Sequence, residues 1–176
     1  MDNIRITSGE FRGRAIKSPK SSFTHPMGSR EKIALFNMIS SYLPEARVLD
    51  AFAGSGALGI EALSRGASEV VFIEKNIKVA HVIKENLKNL ELDPKSEVLV
   101  SDVSKYTADE EFDLIIADPP YDSFNVEEII YLTKYLKDDG VLVLSHPNTA
   151  PVISSLELTK SHKYAAANLS IYRKIA

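Results

Sequence analysis

With 176 residues, no cysteine and a formal net charge of −3, the chain has the size of one domain, able to bury roughly 70% of the surface its unfolded form exposes. The missing cysteine excludes disulfides, cysteine-ligated zinc, iron–sulfur clusters and any thiolate nucleophile. No apolar run approaches the roughly 20 residues that span a bilayer, and the first residues lack the basic, apolar, small-residue order of a signal peptide, so a cytoplasmic protein with no membrane partner is expected.

The charge is uneven. Among residues 1–30, Arg5, Arg12, Arg14, Lys17, Lys20 and Arg30 face only Asp2 and Glu10, a local net charge of +4 that leaves the remainder at −7. Ile4 and Ile6 alternate with Arg5 and Thr7, Ser8-Gly9-Glu10 interrupts, and residues 11–17 carry a second β-like run, which predicts a hairpin. A cationic hairpin on an acidic domain suits a phosphate backbone. Arg5, Arg12, Arg14 and Lys17 are then the candidate phosphate contacts, although a solvated surface hairpin has the same pattern. Residues 18–28 are rich in breakers and predict a connecting loop, so residues 1–28 read as an arm with its linker and residues 29–176 as the main domain. Ser29 is the expected N-cap of a helix carrying Ile33, Phe36 and Leu43 up to Pro44.

Residues 46–50 predict the first main-domain strand, closing on Asp50; a glycine turn follows, then a helix from about Ala57 ended by Gly66 at C′. Residues 69–73 form an apolar run closed by Glu74, as in a strand covered on both faces of a parallel sheet. Ala80, Ile83, Leu87 and Leu90 make one stripe of a helix that starts near Ile77 and is broken by Asp93-Pro94. Strands are predicted over residues 97–100, ending in Ser101-Asp102, and over 112–117, ending in Asp118-Pro119-Pro120-Tyr121. A helix over 126–136 and a strand over 141–144, opened by Gly140, come next. Residues 156–164 and 168–173 alternate with no helix between them and predict a terminal antiparallel hairpin. The expected class is α/β: a Rossmann-like doubly wound sheet, mostly parallel with a C-terminal antiparallel strand, binding ligands outside the carboxyl ends of its strands.

Gly54-x-Gly56-x-x-Gly59, with Glu74 20 residues beyond Gly54, matches the dinucleotide fingerprint. Against NAD stands Asp50, a carboxylate four residues before Gly54 that would repel a diphosphate at the helix N-terminus and suits a cationic ligand. S-adenosylmethionine carries an ammonium and a sulfonium, a ribose for Glu74 and an adenine amino group for Asp102. Cofactor contacts are therefore expected at Asp50, at Ala53, Gly54, Ser55 and Gly56, at Glu74 with Lys75, and at Asp102 with Val103. Ordinary capping acids have the same pattern.

In Asp118-Pro119-Pro120-Tyr121 two prolines remove two backbone donors, so the turn presents carbonyl acceptors and a carboxylate. That set matches an exocyclic amino group on a base, whose lone pair is delocalised into the ring. Hydrogen bonds from the amine to Asp118 and the Pro119 carbonyl favour a tetrahedral nitrogen and stabilise its developing positive charge. Tyr121 offers a stacking face to a single-stranded or flipped base. Asp118, Pro119, Pro120 and Tyr121 are the candidate catalytic set. His25, His81, His146 and His162 show no ligand spacing, and no metal is expected.

With both motifs in hand, the chain resembles the bacterial 16S ribosomal RNA guanine-N2 methyltransferases of the RsmD type. The likeness covers the arm Arg5-Ile6-x-x-Gly9-x-Phe11-Arg12-Gly13-Arg14, the segment leading to Leu35-Phe36-Asn37, residues 50–65 and Asp118-Pro119-Pro120-Tyr121. It implies a class I methyltransferase fold with S-adenosylmethionine bound at Asp50, Gly54, Ser55, Gly56, Glu74 and Asp102. It also implies base contacts at Asp118, Pro119 and Tyr121, and one guanine of small-subunit RNA as acceptor, met in an assembling particle; the protein is expected to be a monomer. One departure stands out: His25-Pro26-Met27 replaces the family's usual Arg-Pro-Thr, so the cation expected there is reduced or pH-dependent. A DNA adenine-N6 methyltransferase and a catalytically silent RNA-binding module are the alternatives.

Overall fold

Strands whose successive residues are apolar on both faces need helices above and below them, and that demand sets the architecture. The computed structural model describes residues 3–19, 27–164 and 167–175. The hairpin strands are β1 (Asn3–Arg5) and β2 (Ala15–Lys17). The main domain follows as α1 (Ser29–Met38), β3 (Arg47–Asp50), α2 (Ala57–Ser64), β4 (Glu69–Glu74), α3 (Ile77–Asn89), β5 (Ser96–Val100), β6 (Phe112–Ala117), α4 (Val126–Leu132), β7 (Leu136–His146), β8 (Leu156–Lys163) and β9 (Asn168–Lys174). A seven-stranded sheet runs in the order β5-β4-β3-β6-β7-β9-β8. The five strands from β5 to β7 are parallel, and β9 is antiparallel to both β7 and β8.

Alternation within the strands divides the core. Val48, Val70, Phe72, Leu114 and Ile116 join Phe36, Ile60 and Ile83 on one face. Leu49, Val71, Ile73, Ile115 and Leu142 join Ile129, Leu132 and Tyr172 on the other. The chain winds outward in opposite directions from β3 and β6, so the sheet's switch point lies between them and a ligand crevice opens above their carboxyl ends. No helix among the described residues is long and apolar enough to cross a membrane.

Several boundaries move from the sequence expectation. Gly28, extended at φ −61° and ψ 154°, takes the N-cap position, and Ser29 is the first helical residue. The helix expected to reach Leu136 ends at Leu132, followed by a 3-10 turn over Thr133–Tyr135. Leu136 instead pairs with Phe112 and opens β7 four residues before Gly140, an irregular start in which Asp139 takes a positive φ of 63°. The expected C-terminal antiparallel hairpin is present as β8 and β9, with β9 inserted between β7 and β8.

The N-terminal hairpin is built into the domain. Ile6 and Ile16 belong to the same apolar cluster as Leu35, Phe36 and Leu63. Glu61 of α2, 0% exposed, accepts from the Thr7 amide at 3.0 Å, the Thr7 hydroxyl at 2.6 Å and the Ser8 amide at 3.0 Å. It is also paired with Arg65 at 2.9 Å and with buried Lys32 at 3.2 Å, whose Nζ donates to the Arg5 carbonyl at 2.8 Å. A side chain on Gly9, at φ +82°, would lie 1.8 Å from the Ser64 carbonyl oxygen, so only glycine allows this approach. Asn86 of α3 brackets Lys17 from the other side, donating to its carbonyl at 2.9 Å and accepting from its amide at 2.8 Å.

Removing Glu61 leaves the Lys32 ammonium buried and the Thr7 and Ser8 amides without acceptors. Glu61→Ala is expected to lower unfolding stability by about 3–5 kcal/mol and to expose the hairpin to limited proteolysis, both read against wild type in urea. Burial pushes the Glu61 carboxyl up, but hydrogen bonds from Thr7 and Arg65 and the charge of Lys32 hold it below its usual 4.5. Its contribution is therefore complete above pH 4.5 and is lost as the pH falls further, through the folded-state value.

Candidate active site

The loop after β3 is held by a carboxylate. Asp50, 1% exposed, sends Oδ2 to the Gly59 amide at 2.9 Å. Gly59 lies in the first turn of α2, where amides have no partner within the helix. The N-cap residue Gly56, left-handed at φ 79°, supplies no side-chain cap. Asp50 thus caps α2 from the neighbouring strand. Its second oxygen, Oδ1, is buried and has no hydrogen-bond partner. Burial, only partly offset by the Gly59 bond and reinforced by the charges of Asp118 and Glu74, pushes the carboxyl up to about 7.

The other expected donor-site residues divide by role. Glu74 accepts from the Gly54 amide at 3.0 Å and the Asn76 amide at 2.7 Å, so it shapes both the glycine loop and the entry to α3. Gly54 and Gly56 take positive φ values of 52° and 79°, and a side chain on Gly56 would lie 3.1 Å from Ile83. Ala53 and Ser55 are buried in the turn, and the Gly56 amide donates to the Ala53 carbonyl at 2.7 Å. Asp102 caps the 3-10 turn after β5: Oδ1 accepts from the Ser104 amide at 2.9 Å and its hydroxyl at 2.6 Å, and these bonds hold the carboxyl below its usual range. Lys75 is exposed, whereas Val103 is buried in the second core layer.

Next to Asp50 stands the acceptor turn. Asp118 follows the last residue of β6 and is pushed up by burial to about 6, with the Ser145 hydroxyl opposing the rise. Pro119 is buried, Pro120 is exposed, and Tyr121 opens a 3-10 turn. The Tyr121 hydroxyl oxygen lies 2.5 Å from Ser145 Oγ. Burial raises its pKa, Ser145 opposes the rise, and the charges of Asp118 and Glu31 add to it. Ser145 therefore touches this turn and Glu31 acts on it through its charge, though neither was assigned a role from sequence. The signal for Ser145 was a hydroxyl closing an apolar strand; Glu31 offered none beyond an acid in a first helical turn.

The arm's cations differ in what they already touch. Lys17 is paired with Glu85 at 2.8 Å, Arg14 donates to the Asn89 carbonyl at 3.0 Å, and Arg5 donates to the Gly13 carbonyl at 2.9 Å. Arg12 is exposed in the hairpin turn. His25 and Pro26 lie outside the described residues, and Met27 packs against the first core cluster. Among the described residues no three His, Asp or Glu side chains are grouped as metal ligands. His146 is buried, with Nδ1 at 2.8 Å from the Asn148 carbonyl and Nε2 at 2.8 Å from Ser170 Oγ.

This sheet order and its antiparallel final pair, with acids at or just beyond the carboxyl ends of β3, β4 and β5, are those of the S-adenosylmethionine-dependent methyltransferase fold. The chain belongs to the family described as "Conserved hypothetical protein 95", whose model matches residues 4–173. It is 34% identical to the Bacillus subtilis (strain 168) protein named "Putative rRNA methyltransferase YlbH", over 97% of this chain and 99% of that one. It is 33% identical to the Escherichia coli (strain K12) "Ribosomal RNA small subunit methyltransferase D", over 97% of this chain and 83% of the other. The solved structure "Putative methyltransferase yhhF from Escherichia coli" matches at a TM-score of 0.89 and 29% identity, covering 99% of both chains.

The residues present fit the donor. A buried carboxylate oxygen without a partner is costly unless a ligand supplies a donor or a positive charge, and S-adenosylmethionine offers both. Asp50 would hold that cation, with Glu74 and Asp102 as acceptors for the nucleoside. A cation favours ionised Asp50, so donor affinity should weaken as the pH falls through about 7, approaching tenfold per unit. Isothermal titration between pH 5.5 and 8.5 should show this slope, and Asp50→Asn should weaken binding and flatten it. In the donor-free protein the sign reverses: the raised pKa stabilises the fold at low pH, and that contribution is lost as the pH rises through about 7.

Proposed function

We propose that the protein methylates the exocyclic N2 amino group of a guanine in small-subunit (16S) ribosomal RNA, acting as a monomer on an assembling ribosomal particle. The observation that carries this reading is the placement of the Asp118-Pro119-Pro120-Tyr121 turn at the carboxyl end of β6, beside Asp50 across the switch point. The relatives named as ribosomal RNA methyltransferases, at 33–34% identity, support the choice of RNA.

S-adenosylmethionine, when bound, supplies an electrophilic methyl group. Asp118 and the Pro119 carbonyl accept hydrogen bonds from the acceptor amine and draw its lone pair out of conjugation. With its pKa at about 6, Asp118 is mostly ionised at neutral pH and can take the proton that leaves after the nitrogen has gained its methyl group. Tyr121 provides a stacking surface worth roughly 1–3 kcal/mol for a base that is single-stranded or flipped. The chemistry thus rests on positioning more than on a strong base. Phosphate contacts come from Arg5, Arg12, Arg14 and Lys17; among the described residues Arg12 has neither an ion pair nor a side-chain hydrogen bond, Arg5 and Arg14 donate to backbone carbonyls, and Lys17 must exchange Glu85 for a phosphate.

Incubation with labelled S-adenosylmethionine and unmodified small-subunit RNA, free or in particles, should yield N2-methylguanosine on nucleoside analysis. N6-methyladenosine would point to the adenine amino group, and binding without methylation to a silent module. Asp118→Ala is expected to cut kcat by about 10²–10³ with donor affinity retained. Arg12→Glu should weaken RNA binding and lower the slope of log K against log salt by about one or more, leaving donor affinity unchanged. Equal loss of donor binding would make Arg12 structural.

A further inference from the structure

Ser145 lies near the end of β7, outside both the glycine loop and the acceptor turn. β6 and β7 are parallel with Ala117 opposite Leu144, so one further step along each strand brings Asp118 and Ser145 side by side at the carboxyl ends. Ser145 is 1% exposed, and its Oγ is 2.5 Å from the Tyr121 hydroxyl oxygen. A serine hydroxyl has one proton to give and lone pairs to accept with. With Tyr121 donating to Ser145, the serine proton is left free to face the neighbouring Asp118 carboxylate, whose ionised form that hydroxyl favours.

We propose that Ser145 is a positioning residue for methyl transfer, its hydroxyl joining Tyr121 to Asp118 so that the stacking ring and the amine-holding carboxylate keep one mutual orientation. This rests on the reading of Asp118 as the group that holds the acceptor amine. Asp118 is faced by Asp50 at the end of β3, by Tyr121 in its own turn and by Ser145 on β7; Glu31 of α1 acts on Tyr121, and Glu74 acts on Asp50. Every charged group in that set is an acid, so among the described residues the Ser145 hydroxyl is the element of the set that favours ionised Asp118. His146, the next residue, has its ring nitrogens committed to Asn148 and Ser170 and does not compete.

The test uses Ser145→Ala and Ser145→Thr in the full chain, with two readouts. Carbon-13 NMR of the aspartate carboxyls in donor-free protein, the Asp118 signal assigned with Asp118→Asn, needs no acceptor. In Ser145→Ala the Asp118 midpoint should rise by about half a unit or more, and Ser145→Thr should bring it back. On RNA, Ser145→Ala should lower kcat by about tenfold and move the acidic limb of the pH profile upward, while the donor Kd by calorimetry stays as in wild type; Ser145→Thr should recover most of the rate. An unmoved Asp118 midpoint, or an unchanged kcat and acidic limb in Ser145→Ala, overturns the proposal. If the wild-type protein methylates no RNA, the functional reading fails on its own, and the NMR titration still decides whether Ser145 is coupled to Asp118. Should Ser145→Ala not fold, Ser145→Cys carries the same measurements.

Discussion

The hydrogen bond from the Gly59 amide to Asp50 is the contact on which the site depends. It spans the glycine turn, tying the end of β3 to the first turn of α2 at 2.9 Å, and so sets how close the helix lies to the sheet. That closeness is why residue 59 has no side chain: a Cβ there would meet the Phe72 ring at 2.2 Å. Gly56, in turn, needs its left-handed backbone to start the helix where Asp50 can reach it. Gly54 completes the turn under the Glu74 carboxylate. All three glycines of the fingerprint therefore follow from one carboxylate-capped strand-to-helix turn, and none of them requires a diphosphate.

The same contact explains how one acid can be both structural and functional. Capping uses Oδ2, and Oδ1 is left buried beside two further acids, Glu74 and Asp118. Burial is the main reason Asp50 and Asp118 are pushed up, to about 7 and about 6, and the charges of Asp118 and Glu74 add to the rise at Asp50. A cation placed among these acids would favour their ionised forms, Asp50 most of all and Asp118 with it. Binding of a positively charged donor and readiness of the acceptor turn are thus linked through electrostatics, without any movement of the backbone.

Much of this was legible in the chain. Strands covered on both faces announce themselves as apolar runs, and the acids closing them, Asp50, Glu74 and Asp118, were found because a polar residue ends each run at the sheet's functional edge. Helix ends were legible where backbone conformation demanded a residue type, as at Gly66 with its φ of 104°. They were missed where tertiary pairing decided: residues 133–136 are compatible with helix, yet Leu136 is taken by its pairing with Phe112. Glu61 and Ser145 were missed for a common reason. Their partners, Thr7 and Ser8 for one and Tyr121 for the other, lie 54, 53 and 24 residues away, and no local period or spacing encodes such a meeting. Asp102 was found as an acid at a strand end, but its bonds to Ser104 show that a capping function accounts for part of that placement.

The hairpin shows how such long-range contacts convert composition into a fixed placement of charge. Its net positive charge could belong to a loose tail attracting any phosphate, with the register of binding left undefined. Instead Ile6 and Ile16 are sunk in the core, and Glu61 and Asn86 grip the backbone on either side of the turn that carries Arg12. A buried acid is an expensive anchor, repaid here by five surrounding donors from Thr7, Ser8, Arg65 and Lys32. What it secures is position: α2 begins at the Asp50 cap and ends at the arm, so a single helix of eight residues fixes the arm's cations relative to the donor crevice. A phosphate backbone bound on that arm would be held in a defined register to the Asp118 turn, and the choice of one base among many would then be a geometric consequence of how α2 is held at its two ends.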